Sequence, residues 1–404
     1  MSTPAPLSAD TQPLIAPPTL ARPLVLLLAS GAGLAVASIY YSQPMLGLLS
    51  AELGTRDSAT GLVPTLTQLG YALGILLLTP LGDRFDRRTL IVVKSVLLAL
   101  ALLLSSAASG LVGLLGASLV VGLTATLAQD IVPAAATLAP EASRGKVVGT
   151  VMTGLLLGIL LSRVASGLIA EHWGWRSVYQ LATGLVLLFA LSAWRGLPRF
   201  AVASRMSYAQ LMKSLIQLWT RHAELRRAAW AQGLLSMGFS AFWSTLAVML
   251  HTQFHLGSAA AGAFGLAGAA GALAAPWAGR LADRRGPELV TRLGAAISMV
   301  SFALLGLGAF LPSGAQIGLI LVATVGFDFG IQATLVAHQT LVYSLDGAAR
   351  SRLNALLFTG MFIGMASGAA LGGLALEHGG WLGVVALSTG AAAACLAVRL
   401  YRRA

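Results

Sequence analysis

TPLGDRFDRRTL, Thr79 to Leu90, is a charged knot between two long apolar runs. Residues 61–81 before it carry no carboxylate or base, and 90–108 after it carry only Lys94. A bilayer's hydrocarbon core takes about 20 helical residues, so each run is long enough to cross it. The knot must then be a tight turn at one membrane face. Arg84, Arg87 and Arg88 assign that face to the cytoplasm, because inside loops collect basic residues. The same grammar returns 200 residues later as GRLADRRG, Gly279–Gly286.

Composition agrees. The 404 residues are 57% hydrophobic and 10% charged, against about 25% charged in soluble domains. This points to a polytopic all-α membrane protein. A formal charge of +12 would suggest nucleic acid in a soluble chain, but here the basic residues are spaced as inside loops. The single cysteine, Cys395, excludes an intrachain disulfide and a cysteine metal site. Residues 1–22 are rich in proline and polar residues, lack the layout of a signal peptide, and read as a disordered cytoplasmic tail.

Twelve apolar runs can be counted, at 24–48, 61–81, 89–109, 111–139, 147–170, 176–195, 228–250, 259–279, 289–310, 316–344, 353–376 and 381–398. Placing the tail and alternate loops inside collects 23 of the 26 Lys and Arg, with Lys94 counted among them. Both termini are therefore expected in the cytoplasm. The longest loop divides the chain into a six-helix half, 23–195, a linker, 196–227, and a second half, 228–404. In the linker, Leu211, Leu215 and Leu218 recur at helical spacing, as in an amphipathic helix on the membrane surface.

The halves repeat. A shift of 206 lays EHWGW (171–175) on EHGGW (377–381) and pairs Gly154 with Gly360, Gly158 with Gly364, Gly167 with Gly373, and Arg144 with Arg350. The loop motifs align at a shift of 200. Two like-oriented halves are what transporters with parallel repeats show.

The loop residues resemble the signature of the major facilitator superfamily, Gly-x-x-x-Asp-Arg-x-Gly-Arg-Arg, between the second and third spans. Asp83, Arg84, Arg87 and Arg88 match it; Thr79 and Asp86 stand where the family has glycines. The second copy keeps Gly279, Asp283, Arg284 and Gly286 but puts Pro287 and Glu288 where the basic pair would be. The resemblance implies two pseudo-symmetric six-helix bundles with a substrate path between them. It also implies a usually monomeric carrier and a gating latch in which Asp83 faces the positive N-terminal end of the eleventh helix. Arg84, Arg87 and Arg88 would engage acidic groups and headgroups, Asp283 and Arg284 would act more weakly, and Arg144 and Arg350 belong with these inner-face charges. The fifth span resembles the drug:proton antiporter motif of the family: Gly149 and Gly158 fit its spacing, while Ser162-Arg163 replaces Gly-Pro and Ser166-Gly167 a glycine pair. Gly149, Gly154, Gly158, Gly167, Gly360, Gly364 and Gly373 are the expected helix-packing glycines.

An ionisable group inside a membrane is a functional hypothesis by default, since it costs about 2.5–3.5 kcal/mol on insertion scales. Asp130, next to Gln129 in the fourth run, is expected near mid-bilayer as a proton carrier; the plainer alternative is a static ion pair. Arg163 is a relocated cation for Asp130 or for an anionic substrate, or else snorkels to the surface. Asp328 in the tenth run lies one turn from Gln332, with His338 further inward; an unperturbed imidazole titrates at physiological pH. Tyr41 and Gln43 in the first run and Trp243 in the seventh are candidate pocket residues. Trp173, Trp175 and Trp381 read as interfacial belt residues.

These readings converge on a secondary transporter that exports a small organic molecule in exchange for protons across the inner membrane, with proton-coupled uptake as the alternative. No phosphate-binding loop or nucleophile elbow is found in the sequence, and no enzyme activity, cofactor, metal or nucleic-acid partner is expected. The partners are protons, lipid and the solute.

Overall fold

Inside hydrocarbon every backbone N–H and C=O must be satisfied within the protein, so long apolar runs have little choice but to coil into helices. The computed structural model describes residues 20–201, 206–347 and 349–401, and among these there is no strand. Most of the expected 1–22 tail lies outside the described residues, as do Arg205, Arg402 and Arg403.

The first half comprises α1 (Arg22–Ala37), α2 (Leu46–Leu53), α3 (Asp57–Thr60), α4 (Leu62–Leu78), α5 (Arg87–Ala107), α6 (Leu111–Ala125), α7 (Leu127–Leu138), α8 (Arg144–Trp173) and α9 (Trp175–Gly196). After α10 (Tyr208–Arg221) come α11 (Ala223–Phe254), α12 (Ser258–Ala263), α13 (Ala270–Arg285), α14 (Pro287–Leu304), α15 (Ser313–Tyr343) and α16 (Arg350–Leu400). Among the described residues nine helical segments are long and apolar enough to cross a membrane; Arg22–Ala37 and Ser258–Gly268 are shorter apolar pieces. The chain is a membrane-embedded, multi-pass, all-α protein.

The helices depart from the expected runs where sequence chemistry interrupts them. The run 24–48 is not one helix. It unwinds after Ala37 through turns and a short 3-10 coil at Gln43–Met45, where Pro44 has no N–H to donate. Run 111–139 breaks at Thr126, and run 259–279 is interrupted by a 3-10 segment at Phe264–Ala269. Conversely, 353–376 and 381–398 join in the 51-residue α16. At 1.5 Å per residue it would be roughly 76 Å long, over twice the ~30 Å of hydrocarbon. It reverses at Gly380, whose φ of 57° suits glycine, bringing Gly383 back against Ala375. The tryptophan reading also needs correction. Trp173 is exposed, but Trp175 is buried edge-on to Tyr179, and Trp381 is buried beside Phe242.

One end of the molecule gathers the turns bearing Arg84, Arg144, Arg284 and Arg350. We call it the basic face, and the opposite end, with the turns at Gly174 and Gly380, the far face. Outside the crossings, α10 starts from a capping box of Ser207 and Gln210 and buries Leu211, Leu215 and Leu218. Tyr208 of this helix donates to the Leu77 carbonyl, 3.0 Å.

Small residues decide which helices touch. Gly154 and Gly158 of α8 lie on the backbone of Ala29 and Gly33 of α1; Gly360 and Gly364 of α16 lie likewise on Ala229 and Gly233 of α11. Between the halves, Gly167 meets Ser258 and Gly373 meets Ser58. Each of these contacts has a partner contact in the other half of the repeat. Gly149 departs from the expectation, since a Cβ there meets nothing within 4 Å. We predict that Gly364→Leu, which must force two backbones apart, destabilises by at least about 1–3 kcal/mol. Gly149→Leu should stay within about 0.5 kcal/mol of the parent. Thermal unfolding in detergent measures both, and equal losses would refute the packing account.

Candidate functional site

Arg163 sits in the middle of α8, where the sequence offers it no charged neighbour. The tertiary fold provides other company. Its side chain is only 3% exposed. Its Nε donates to Gln43 Oε1 at 2.9 Å, reaching the unwound segment after α1. The guanidinium carbon lies 4.6 Å from the centre of the Tyr40 ring, 4.3 Å from Trp243 and 5.8 Å from Phe239, so aromatic faces supply part of what water would.

Asp328, 5% exposed on α15, is an acid whose charge acts on Arg163. No ion pair joins the two, and the Trp243 indole N–H acts on the Asp328 carboxyl group. Arg163 Nη2, Gln43 Nε2 and Asp328 Oδ1 are buried without a hydrogen-bond partner among the described residues. A gap too narrow to admit a water molecule borders Gln43, Pro44, Arg163, Trp243 and Leu246, and Asp328 is not in its lining. The cluster draws Tyr40, Gln43 and Arg163 from the first half and Phe239, Trp243 and Asp328 from the second. A second buried bridge between halves runs from Ser240 Oγ to Gln68 Oε1, 3.0 Å. Tyr41 is buried in the neighbouring core, and Gln332 packs by Gly271, one turn along α15.

Asp130 lies elsewhere. It is 2% exposed and accepts from Lys94 Nζ at 2.6 Å. Lys94, counted from sequence among the inside-loop charges, is 4% exposed within α5. Asp130 therefore neither lacks a partner nor pairs with Arg163. The 3-10 turn Thr79–Asp83 packs against it, since a Cβ on buried Gly82 would stand 3.1 Å from Asp130 Oδ1. The clue to this pair was a lone lysine in an otherwise uncharged run. Gln129 donates to the Tyr71 hydroxyl at 3.1 Å.

The loop charges bond within their own half. Asp83 pairs with Arg87 at 3.7 Å, and Arg87 also donates to the Gly82 carbonyl at 3.3 Å. Arg88 donates to the Trp194 carbonyl, and exposed Arg84 lies over Phe85. Asp86, where the family motif has glycine, caps α5 by accepting from Arg88 N at 3.1 Å and also accepts from Phe200 N at 2.8 Å. Asp283, Arg284, Arg144 and Arg350 are exposed on the basic face. Glu288, in the second motif copy, joins an ion network that sequence reasoning missed. It binds fully buried Arg399 and lies 3.5 Å from Arg227 and 3.9 Å from Arg292. Arg227 and Arg292 donate to the Arg399 carbonyl at 2.8 and 3.2 Å, covering the open carbonyl end of α16. His338 is fully buried, its Nδ1 3.0 Å from Gln232 Oε1 and away from the Arg163 cluster.

At the far face the two halves close on each other. Ser258 Oγ donates to the Gly167 carbonyl at 2.9 Å, Ala259 N donates to Glu171 at 2.7 Å, and Arg56 pairs with Glu377 at 3.6 Å.

The sequence profile described as Major Facilitator Superfamily matches residues 28–346. Uncharacterized transporter YgaY of Escherichia coli O157:H7 is 38% identical over 366 residues, covering 90% of this chain and 92% of that protein. Multidrug resistance protein MdtG of Citrobacter koseri is 26% identical over 375 residues, 89% of this chain and 90% of its own. Among solved structures, nucleoside transporter NupG shares the fold, with a TM-score of 0.75 at 13% identity over 93% of this chain and 99% of that one.

Proposed function

Because the chain belongs to the Major Facilitator Superfamily, and is thereby a secondary transporter, we propose that it exports a small organic molecule in exchange for protons across the inner membrane. In this reading twelve crossings form two six-helix bundles, 23–195 and 228–404, joined by the 196–227 linker. The basic face and both termini are cytoplasmic, and the carrier works as a monomer. The solute binds at Arg163, Gln43 and Trp243, and Asp328 carries the proton. The observation that carries the proposal is the cluster itself: three buried polar side chains from both halves, Arg163, Gln43 and Asp328, each with an unused hydrogen-bonding atom. Burying such groups unpaired is costly, and a ligand arriving between the halves would complete them. Export is supported by the likeness to a protein named for multidrug resistance.

Alternating access requires that the closed far face open. Asp83 and its arginines, bonded within their own half here, would latch the basic face in that other state, with Asp283 and Arg284 as the weaker copy. We therefore predict that Arg56→Cys with Glu377→Cys, in a Cys395→Ala background, joined by a short bis-methanethiosulfonate reagent that forms a disulfide at each cysteine, stops solute flux in proteoliposomes and that reduction of those disulfides restores it. Unchanged flux in the cross-linked protein would remove alternating access across this face. A second reading, proton-coupled uptake, is favoured by one feature: α8 runs unbroken through Ser162 and Arg163, with no kink where the antiporter motif has Gly-Pro. An imposed pH gradient separates the two, since it either loads or empties the vesicles of solute.

A further inference from the structure

Two opposite charges stand close to each other in the Arg163 cluster without bonding. Both charges touch the surroundings of one indole. The Trp243 ring is 4.3 Å from the guanidinium carbon, and its N–H acts on Asp328. A Cβ at Gly268 would lie 2.6 Å from Asp328 Oδ2 and 3.9 Å from Trp243 Cζ2. Unused donors remain at Arg163 Nη2 and Gln43 Nε2, and an unused acceptor at Asp328 Oδ1, the residue on which the Trp243 indole N–H acts. All four residues are more than nine-tenths buried. Around Arg163 the other neighbours are apolar: Tyr40 and Phe239 lie near the guanidinium, and Leu246, Ala247 and Ala261 line the gap beside it.

The charge pattern selects among solutes. A carboxylate alone would satisfy the donors but set a second negative charge beside Asp328. An amine alone would pair with Asp328 but add a cation beside Arg163 and leave the donors unmatched. A neutral polyol would compensate neither charge. A molecule carrying both groups a few bonds apart satisfies both ends and adds no net charge, and charge-assisted bonds of this kind are the strong ones. We infer that the solute is a small zwitterion of the α-amino acid kind with an apolar or aromatic body. Its carboxylate is held by Arg163 and Gln43, and its ammonium by Asp328. This rests on the reading of the cluster as the transport site, and it gives the exchange a physical basis. Asp328 accepts either the solute's ammonium or a proton, so the two exclude each other. The titratable groups that act on Asp328 are Arg163 and Tyr40, both facing it from the first half.

The test uses three probes with one aromatic body, titrated calorimetrically into the full chain in detergent: L-phenylalanine, phenylpropionate and phenylethylamine. Phenylalanine is expected to bind at least about tenfold more tightly than either half-molecule. Acidification should weaken phenylalanine but not phenylpropionate. Asp328→Asn should weaken phenylalanine by about tenfold or more while phenylpropionate binds as well or better, a pattern that a folding defect cannot give. Arg163→Gln should lose both carboxylates. If phenylalanine binds no more tightly than its halves, or if Asp328→Asn weakens all three alike, the zwitterion is wrong. If phenylethylamine alone binds and moves protons, the substrate class fails while proton-linked export stands. If no probe binds and no solute of any class drives proton movement in proteoliposomes, both fail.

Discussion

Asp328→Asn is expected to reduce solute accumulation driven by a pH gradient to the level of protein-free vesicles, while solute–solute exchange at saturating concentration persists. The amide keeps the shape of the carboxyl group and its place beside Trp243. It can neither carry a charge nor release a proton. A ligand can drive a conformational equilibrium only by its differential affinity for the two states, so a site that cannot titrate cannot convert a proton gradient into a solute gradient. Binding itself should survive in weakened form, because Arg163, Gln43 and the aromatic walls are untouched. Proteoliposomes assayed for gradient-driven uptake and for counterflow separate the two quantities. Full gradient-driven accumulation by the variant would take Asp328 out of the coupling step. Equal loss of exchange and accumulation would point to general damage, and the double variant Arg163→Gln, Asp328→Asn, which removes the stranded cation, would then be compared for stability.

Lys94→Ala should be the most destabilising change outside the Arg163 cluster, costing about 3–5 kcal/mol by leaving Asp130 buried without its cation. The Lys94–Asp130 bond is 2.6 Å long and both side chains are nearly inaccessible. Asp130→Ala should cost a similar amount by stranding the lysine. Lys94→Met with Asp130→Leu removes both charges and should recover most of the loss, since replacing a whole buried pair by apolar groups is often neutral or better. Thermal unfolding of the four proteins in detergent closes the cycle. Additive losses would mean that the two residues do not act as a pair. Transport by the apolar double variant carries separate information. If Asp130 serves mainly to seat the turn at Gly82, gradient-driven flux should remain coupled when stability is restored.

Much of the architecture was legible along the chain because a membrane makes local composition decisive. Residues 61–81 and 89–109 had to be helices, and the charges between them had to lie at a surface. The 206-residue shift identified Gly154 with Gly360 and Gly158 with Gly364 before any contact was known, and each pair lies on equivalent backbone. The interruptions were harder to read. Pro44 was visible, yet nothing local told that the coil would unwind from Ser38 and present Gln43 to a helix 120 residues away. Gly149 fits the glycine spacing but meets no neighbour, since spacing along a helix does not say which side faces a partner.

Charge pairing was the part that sequence could not decide. An ionisable residue in an apolar run is conspicuous on its own: Asp130, Arg163 and Asp328 were all named from position, and Lys94 stood alone in its run. Which cation meets which acid depends on the rotation and depth of helices far apart in the chain. Glycine contacts, helix breaks and the seating of the Gly82 turn set that geometry, and each of these is a property of packing. The amino-acid sequence by itself determined that this protein is an all-helical, multi-pass membrane protein with a few costly charges inside. The tertiary structure alone decided that Lys94 pairs with Asp130 and that Arg163 and Asp328 share the neighbourhood of Trp243 without an ion pair. Side-chain pairing at ångström range requires neighbours that only the assembled helices bring together.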